Sequence, residues 1–274
     1  MSGKLEFTLL GSGSSGGVPR ADGDWGDCDP ADPRNLRTRC SLLVRRLGEG
    51  AERETTVLVD TSPDLRLQTA SAGVKRLDAV LLTHDHADQT HGIDDIRAFY
   101  IRQRAKIPTY ADTATRASMM RRFGYVFDGE EGYPGIADLR AVPTHGAAWR
   151  LDGPSGAIPV ITFDQDHGPV RSVGYRFGDV AYSSDVVGLE ASAFAALADL
   201  DVWIVDALRW RPHPTHAHVE QTLDWIATVK PRRSILTNLH IDLDFATLSA
   251  KLPPGVEPGY DGLRFTHPLT ASVT

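Results

Sequence analysis

The 274-residue chain has no uninterrupted apolar run near the roughly 18 residues that a membrane span requires. Met1-Ser2-Gly3-Lys4 leads straight into a strand-like segment and lacks the charged-then-apolar layout of a secretory signal. There are only two cysteines, Cys28 and Cys40, which suits a reducing compartment; they are free to pair, but nothing requires it. The expected location is cytoplasmic, with no membrane partner. Positive charge is also in short supply. Lys and Arg number 29 against 36 Asp and Glu, a formal net charge of −7, and there is no basic arm. This balance excludes broad nonspecific attachment to nucleic acid and argues against long nucleic acid as a partner. It leaves room for a small phosphate ester in a local positive pocket. Ser14 and Ser15 do not form the G-x-S-x-G elbow of a serine hydrolase, and neither cysteine sits in a nucleophile pattern. The loop Gly11-Ser12-Gly13-Ser14-Ser15-Gly16 matches G-x-G-x-x-G. It runs into Gly17-Val18-Pro19 rather than a helix, and no Gly-Lys-Ser/Thr follows, so dinucleotide binding and a P-loop are set aside.

What is present is a globular composition, 41% hydrophobic and 24% charged. Strands are expected at 5–10, 40–46, 55–60 and 78–83, then at 158–163, 172–177, 180–183, 202–206 and 234–237. A turn is expected at Gly48-Glu49-Gly50. Helices are expected at 63–72 (with Ser62 as N-cap and Pro63 in the first position), 94–104, 113–123, 191–198, 219–228 and 245–252. Residues 18–37 read as a long irregular stretch. Many strands in each half with helices between them predict an α/β (α+β) architecture of two packed mixed sheets with helices outside, in one domain spanning 1–274. No short-period repeat or low-complexity tail interrupts it.

The sharpest local feature is Thr83-His84-Asp85-His86-Ala87-Asp88, directly after an apolar strand. In extended chain, residues i and i+2 share a face, so His84 and His86 converge on one ion while Asp88 continues the row towards a second. Imidazole and carboxylate together suit zinc, manganese or iron. His167, Asp185 and His240 each follow a strand, where loops gather at one rim of a sandwich. Taken singly, each has a plain alternative as a capping Asp or a His bonded to backbone.

These pieces resemble the metallo-β-lactamase superfamily and, within it, the phosphonate-pathway cyclic phosphodiesterase (PhnP-like) group. The matching segments run from Leu9-Leu10-Gly11-Ser12-Gly13 through the 83–88 motif, Ser184-Asp185 and the His213 to His218 cluster to Gly259-Tyr260-Asp261-Gly262. The resemblance implies a four-layered αββα sandwich with two divalent metals, zinc or manganese, at one edge. It implies His84, His86 and His167 on the first metal, Asp185 bridging, and Asp88 and His240 on the second. The family pattern is His-x-His-x-Asp-His, and here Gln89 holds the last position. A neutral carboxamide is a poorer donor than imidazole for zinc, so the second metal is in doubt. Gln89 as a weak ligand, His91 as its substitute and a one-metal site are the three outcomes, with His91 preferred as a residue that orients a ligand. The family's extra structural zinc is not expected, since the early loop offers only Cys28.

Two metals about 3.5–4 Å apart can clamp a phosphodiester and lower the pKa of water towards about 7. His216 best matches the histidine that the resemblance places near the leaving group and is assigned as general acid, with His213 or His218 in support; Asp88 is a further catalytic candidate. A solvated helix start with Thr215 as N-cap is the plain alternative. Asp206 is a candidate to orient one of these histidines, and Arg209 and Arg211 are candidate phosphate donors. The expected function is hydrolysis of a small or cyclic, nucleotide-like phosphodiester. Alternatives are thioester or lactone hydrolysis on the same fold, or a metal- or ligand-binding protein with catalysis weakened by Gln89. A homodimer is a candidate assembly.

Overall fold

The computed structural model describes residues 3–48 and 53–269; positions 49 and 50 of the expected Gly48-Glu49-Gly50 turn lie outside them. The strands are β1 (Lys4–Gly11), β2 (Ser41–Arg46), β3 (Thr55–Val59), β4 (Ala79–Leu81), β5 (Ile107–Ala111), β6 (Gly129–Glu130), β7 (Tyr133–Pro134), β8 (Ala137–Ala141), β9 (Ala148–Leu151), β10 (Ile158–His167), β11 (Val170–Phe177), β12 (Val180–Ser183), β13 (Val202–Asp206), β14 (Arg233–Thr237), β15 (Val256–Pro258) and β16 (Arg264–Pro268). The helices are α1 (Leu65–Ser71), α2 (Ala87–Thr90), α3 (Arg97–Gln103), α4 (Thr113–Asp128), α5 (Ala191–Ala196), α6 (Val219–Val229) and α7 (Phe245–Lys251).

Two seven-stranded sheets form, in the orders β16-β1-β2-β3-β4-β5-β8 and β15-β14-β13-β12-β11-β10-β9; β6 and β7 make a separate ribbon. Side-chain alternation sorts each strand between two layers. Leu42 and Val44 of β2 join Val57, Val59, Tyr175, Tyr182 and Ile204 between the sheets. Leu43, Leu58 and Val80 point the other way, against Leu65, Met119 and Val126 of the helices. Across the second sheet, Trp203, Val205 and Leu236 meet Ala193, Val219 and Leu248. Helices thus cover both outer faces, which is why the central strands are apolar on both sides. Each buried Leu, Val, Ile or Phe contributes about 1.5–3 kcal/mol.

Each sheet is antiparallel at one side and parallel at the other: β3-β4-β5-β8 in the first, β12-β13-β14-β15 in the second. The parallel strands β3, β4, β12, β13 and β14 end at one edge, and their carboxyl ends supply the candidate site. The Gly11 to Gly17 loop stitches the sheets there. Gly13 N–H donates to the Thr38 carbonyl (2.8 Å), and Leu239 N–H to the Ser12 carbonyl (2.8 Å). A Cβ on Gly11 would lie 1.9 Å from the Arg39 carbonyl oxygen, and one on Gly13 2.9 Å from Arg37 Cβ. Close backbone approach explains this glycine pattern.

Some local expectations are corrected. The 63–72 helix begins at Leu65 after Asp64; the Ser62 hydroxyl instead accepts the Asp64 amide (3.2 Å) in a turn. Thr215 does not cap α6. Ala217 N–H is pinned to the Val186 carbonyl (2.6 Å), which keeps the chain extended up to His218, the residue that precedes the helix. The 94–104 segment opens as a 3-10 turn over Ile93–Ile96 before α3.

Candidate metal centre

His84 leaves the end of β4 with its ring fully oriented. Asp60, just after β3, accepts Thr83 N–H at Oδ1 (2.8 Å) and the Thr83 hydroxyl at Oδ2 (2.9 Å). That hydroxyl, having donated its proton, accepts from His84 Nδ1–H (3.0 Å). Nε2 is left with its lone pair, buried and without a partner. His167, the last residue of β10, is fixed the same way: Nδ1–H donates to the Thr215 carbonyl (2.7 Å) and Nε2 lies 3.3 Å from His86 Nδ1. The candidate ligand atoms of His84, His86 and His167 all lie within 4.8 Å of one another. Burial, reinforced by the other two imidazoles, pushes His84 down to about 3, so the ring is neutral. Three imidazoles gathered this closely, with the His84 Nε2 buried and without a partner, suit a divalent cation.

Beside this trio, Asp185 follows β12 in a left-handed conformation (φ 55°). Burial alone would push its carboxyl up, but His84, His216 and His167 with the Ser184 hydroxyl hold it below the usual carboxylate range. His167, Asp185 and His216 form a second group with candidate ligand atoms within 4.8 Å. Gln89 Nε2–H donates to Asp185 Oδ2 (3.2 Å), while its Oε1 is buried without a partner. Asp88 lies on the one-turn helix α2, outside both groups; burial and then Asp185 push its carboxyl up to about 6.

His216 Nδ1–H donates to Asp206 Oδ2 (2.9 Å), and the Asn238 amide lies 3.1 Å from the same nitrogen. Burial pulls His216 down, but Asp206, Asp185 and Asp88 outweigh it and lift the ring to about 9. The other face of the half-buried ring lines a cavity of about 270 Å³ that also touches His213 and His240. His213 is held by Thr215, whose amide and hydroxyl approach its Nδ1 at 3.3 and 3.2 Å.

Three positions read from sequence are not brought to the trio. His240 was expected on the second metal, yet it accepts Arg20 Nη2–H at Nε2 (2.7 Å) and donates Nδ1–H to Asp242 (3.0 Å), so no ring nitrogen is free. His91 accepts from Arg122 Nη2 (2.7 Å) and packs on Phe123 instead of orienting a ligand. His218 faces Gln221. Asp60, Thr83, Asn238 and Arg20 were missed. The signal for two of these was an Asp or Asn directly after an apolar strand. Asp60, Asp185 and Asn238 all adopt positive φ (63°, 55° and 62°) there, a conformation that Asp and Asn tolerate better than other non-glycine residues. Cys28 and Cys40 are both free and buried.

A sandwich of this topology with a histidine-aspartate centre at its edge defines a metal-dependent hydrolase. A profile of the beta-lactamase superfamily domain matches residues 55–241. A crystal structure of a new diphosphatase from the PhnP family superposes with a TM-score of 0.85 at 32% identity, over 98% of this chain and 99% of that one. The chain belongs to the metallo-β-lactamase superfamily and, within it, to the PhnP family. Zn(2+)-bound PqqB from Methylobacterium extorquens shares the fold at 18% identity (TM-score 0.69; 95% of this chain, 99% of that one). A Porphyromonas gingivalis (W83) protein named octanoyltransferase is 34% identical over 264 residues, 94% of this chain but 51% of its own length; the chain spans about half of that relative.

Proposed function

We propose that the chain is a metal-dependent phosphodiesterase acting on small or cyclic, nucleotide-like phosphodiesters, with the domain spanning 1–274. The observation that carries this is the pairing of an imidazole trio, His84, His86 and His167, with an Asp206-held His216 across Asp185. His84 Nε2, His86 Nδ1 and His167 Nε2 would hold one divalent cation, zinc or manganese. Asp185, Asp88 and the Gln89 carboxamide oxygen would face a second. A bound cation supplies a water of lowered pKa and a positive charge for a phosphoryl oxygen.

The chain's own groups supply the rest. Asp88 faces the attacking side and His216 the leaving side. His216 carries the proton that a departing alkoxide needs, and Asp206 keeps the ring turned so that Nε2 presents it. A carbonyl substrate gains less from such an acid when its leaving group is a thiolate. The diphosphatase relative cleaves a bond to phosphorus, which agrees with this reading. The octanoyltransferase name favours acyl chemistry as a second reading, but half of that protein lies outside the match. Both thiols here are buried and pushed up by that burial, which removes cysteine as an acyl carrier.

The test is hydrolysis of bis(4-nitrophenyl) phosphate by chelator-stripped protein before and after zinc or manganese is added. Activity that appears with metal and is lost in His86→Ala is expected. No turnover with either metal moves the weight to carbonyl substrates or a binding role.

A further inference from the structure

A cavity of about 540 Å³ lies between α3, the end of α4 and the β6-β7 ribbon. It shares no lining residue with the cavity beside His216 or with the space beside Asp88. From α3 come Arg97, Tyr100 and Ile101, which at i, i+3 and i+4 share one helix face. Tyr125 lines it from α4, and Glu130, Glu131, Tyr133 and Pro134 from the ribbon. The base of the ribbon is fixed. Ile136 N–H donates to the Val126 carbonyl (2.7 Å), and Lys106 Nζ to the Phe127 carbonyl (2.8 Å). Its tip turns through Glu131 and Gly132, both at positive φ (49° and 87°). Asn-Gly is the usual pair in such a turn, so a glutamate stands there against backbone preference.

This lining is aromatic and anionic, and the chain leaves both features unmatched. Tyr133, Ile101 and Tyr125 are 74%, 64% and 40% exposed. Elsewhere the chain lays its own cations over its rings: Arg34 over Phe245 (4.0 Å from the ring centre), Lys251 over Trp210 (4.5 Å) and Arg233 over Phe265 (4.9 Å). Among the described residues no lysine or arginine lies over Tyr100, Tyr125 or Tyr133 in this way. Arg97, the cation of the lining, is already engaged, since its Nη2 donates to Asp94 Oδ1 (2.5 Å). Among the described residues Glu130 and Glu131 take part in no ion pair. With Arg97 and Asp94 cancelling, two negative charges remain beside three uncovered rings.

We infer that this cavity binds a small organic cation, an alkylated ammonium on an apolar body, with Tyr100, Tyr125 and Tyr133 receiving the nitrogen and Glu130 and Glu131 supplying the opposite charge. The face of a tyrosine ring is the negative side of its quadrupole. It attracts a cation without hydrogen bonds, which suits an alkylated nitrogen that has no N–H to donate. The volume falls in the range of about 300–1,000 Å³ usual for small-molecule sites. It exceeds what a bare ammonium fills, and leaves Ile101 and Pro134 to meet the apolar body. The two carboxylates disfavour an anion, so a phosphodiester does not compete for this space. A second copy of the chain laid on the same face would bring further carboxylates and an Arg97 already paired, not a free cation. Occupancy here is independent of turnover at the metal centre.

The experiment titrates the metal-loaded protein by calorimetry with (4-hydroxyphenyl)trimethylammonium and, separately, with its neutral isostere 4-tert-butylphenol. The shared phenol makes any contact with the metal common to both probes. The charged probe is expected to bind at least about 10-fold more tightly, the sum of several ring faces and two carboxylates. Tyr133→Leu should weaken the charged probe about 3- to 10-fold, whereas Tyr133→Phe, which keeps the ring, should not. Glu130→Gln combined with Glu131→Gln should reduce the preference for the charged probe and leave the neutral one unchanged. Metal content and circular dichroism of each variant report its folding. Equal affinity for the two probes, no binding of the charged one, or binding indifferent to Tyr133→Leu overturns the site. A wild-type dimer that excludes both probes and dissociates in Tyr133→Leu also overturns it, and gives the face to a second copy.

Discussion

Asp206→Asn tests the acid side of the site with little change of shape. Asp206 ends β13, and its Oδ2 accepts from His216 Nδ1–H (2.9 Å) and from Val186 N–H (3.0 Å). Burial drags His216 down, yet the ring stands near 9 instead of its ordinary 6.5 because Asp206, Asp185 and Asp88 face it. At 1.36 kcal/mol per pH unit this lift favours the protonated ring by about 3 kcal/mol. Asp206 is the largest of the lifting groups, through both charge and hydrogen bond. The asparagine keeps a planar acceptor but no charge, while burial persists, so the ring should titrate at clearly lower pH than in the wild type. The assay is a histidine side-chain NMR titration of metal-free protein, which needs no turnover. In the loaded enzyme, the rate should decline as pH rises past the pKa of His216, and the variant should move that decline to lower pH. Linkage gives a second readout. A histidine lifted on folding adds stability that is complete below 6.5 and lost as pH rises through about 9. The wild type should therefore lose stability across that window, and the variant should not. A ring that still titrates above about 8 in Asp206→Asn would refute the assignment of Asp206 as its charge partner.

Other outcomes follow from the same geometry. His84→Ala and His167→Ala should each lose the tightly held cation on dialysis, measured by plasma emission, because each removes one imidazole of the trio. Gln89→His should bind a second cation equivalent more tightly than the wild type, because an imidazole replaces a carboxamide next to Asp185; an unchanged stoichiometry counts against a second position there. Asp261→Ala should destabilise the fold by about 2–4 kcal/mol, since it strands four donors: the amides and hydroxyls of Ser12 and Thr38, at 2.6–2.9 Å. The melting temperature should drop by about 5–15 °C, and a change under about 2 °C would show that the loop finds other partners.

The strands legible in the sequence were those sealed on both faces. TTVLV of β3, the AVL core of β4 and VWIVD of β13 are buried at every position, because one face meets the other sheet and the other meets helices. The missed strands include all four sheet edges, β8, β9, β15 and β16, together with β5. Their sequences ADLRA, AWRL, VEP and RFTHP hold charges or proline, as edges tolerate, and β5 (IPTYA) holds Pro108. Such segments become strands through the partner they pair with, not through their own composition.

The same distinction governs the site. His84 and His86 were legible because a regular strand carries the period of two past its end. His240, expected on the second metal from the family resemblance, lies two residues beyond Asn238, where the alternation does not continue. Asn238 sits at φ 62°, which breaks the alternation and turns the chain, so the Asn238 amide faces His216 while His240 swings to Arg20. Asp60 and Asp185 make the same left-handed exit from β3 and β12. At each exit a short polar side chain takes the inward place that a regular strand would give to its next alternate residue. The inward groups at these ends are therefore Asp60 and Asn238, which adjoin β3 and β14, and Asp185, which Ser184 separates from the end of β12. An apolar strand followed at once by Asp or Asn is the signal that would have placed Asp60 and Asn238 in the site and left His240 free for the arginine.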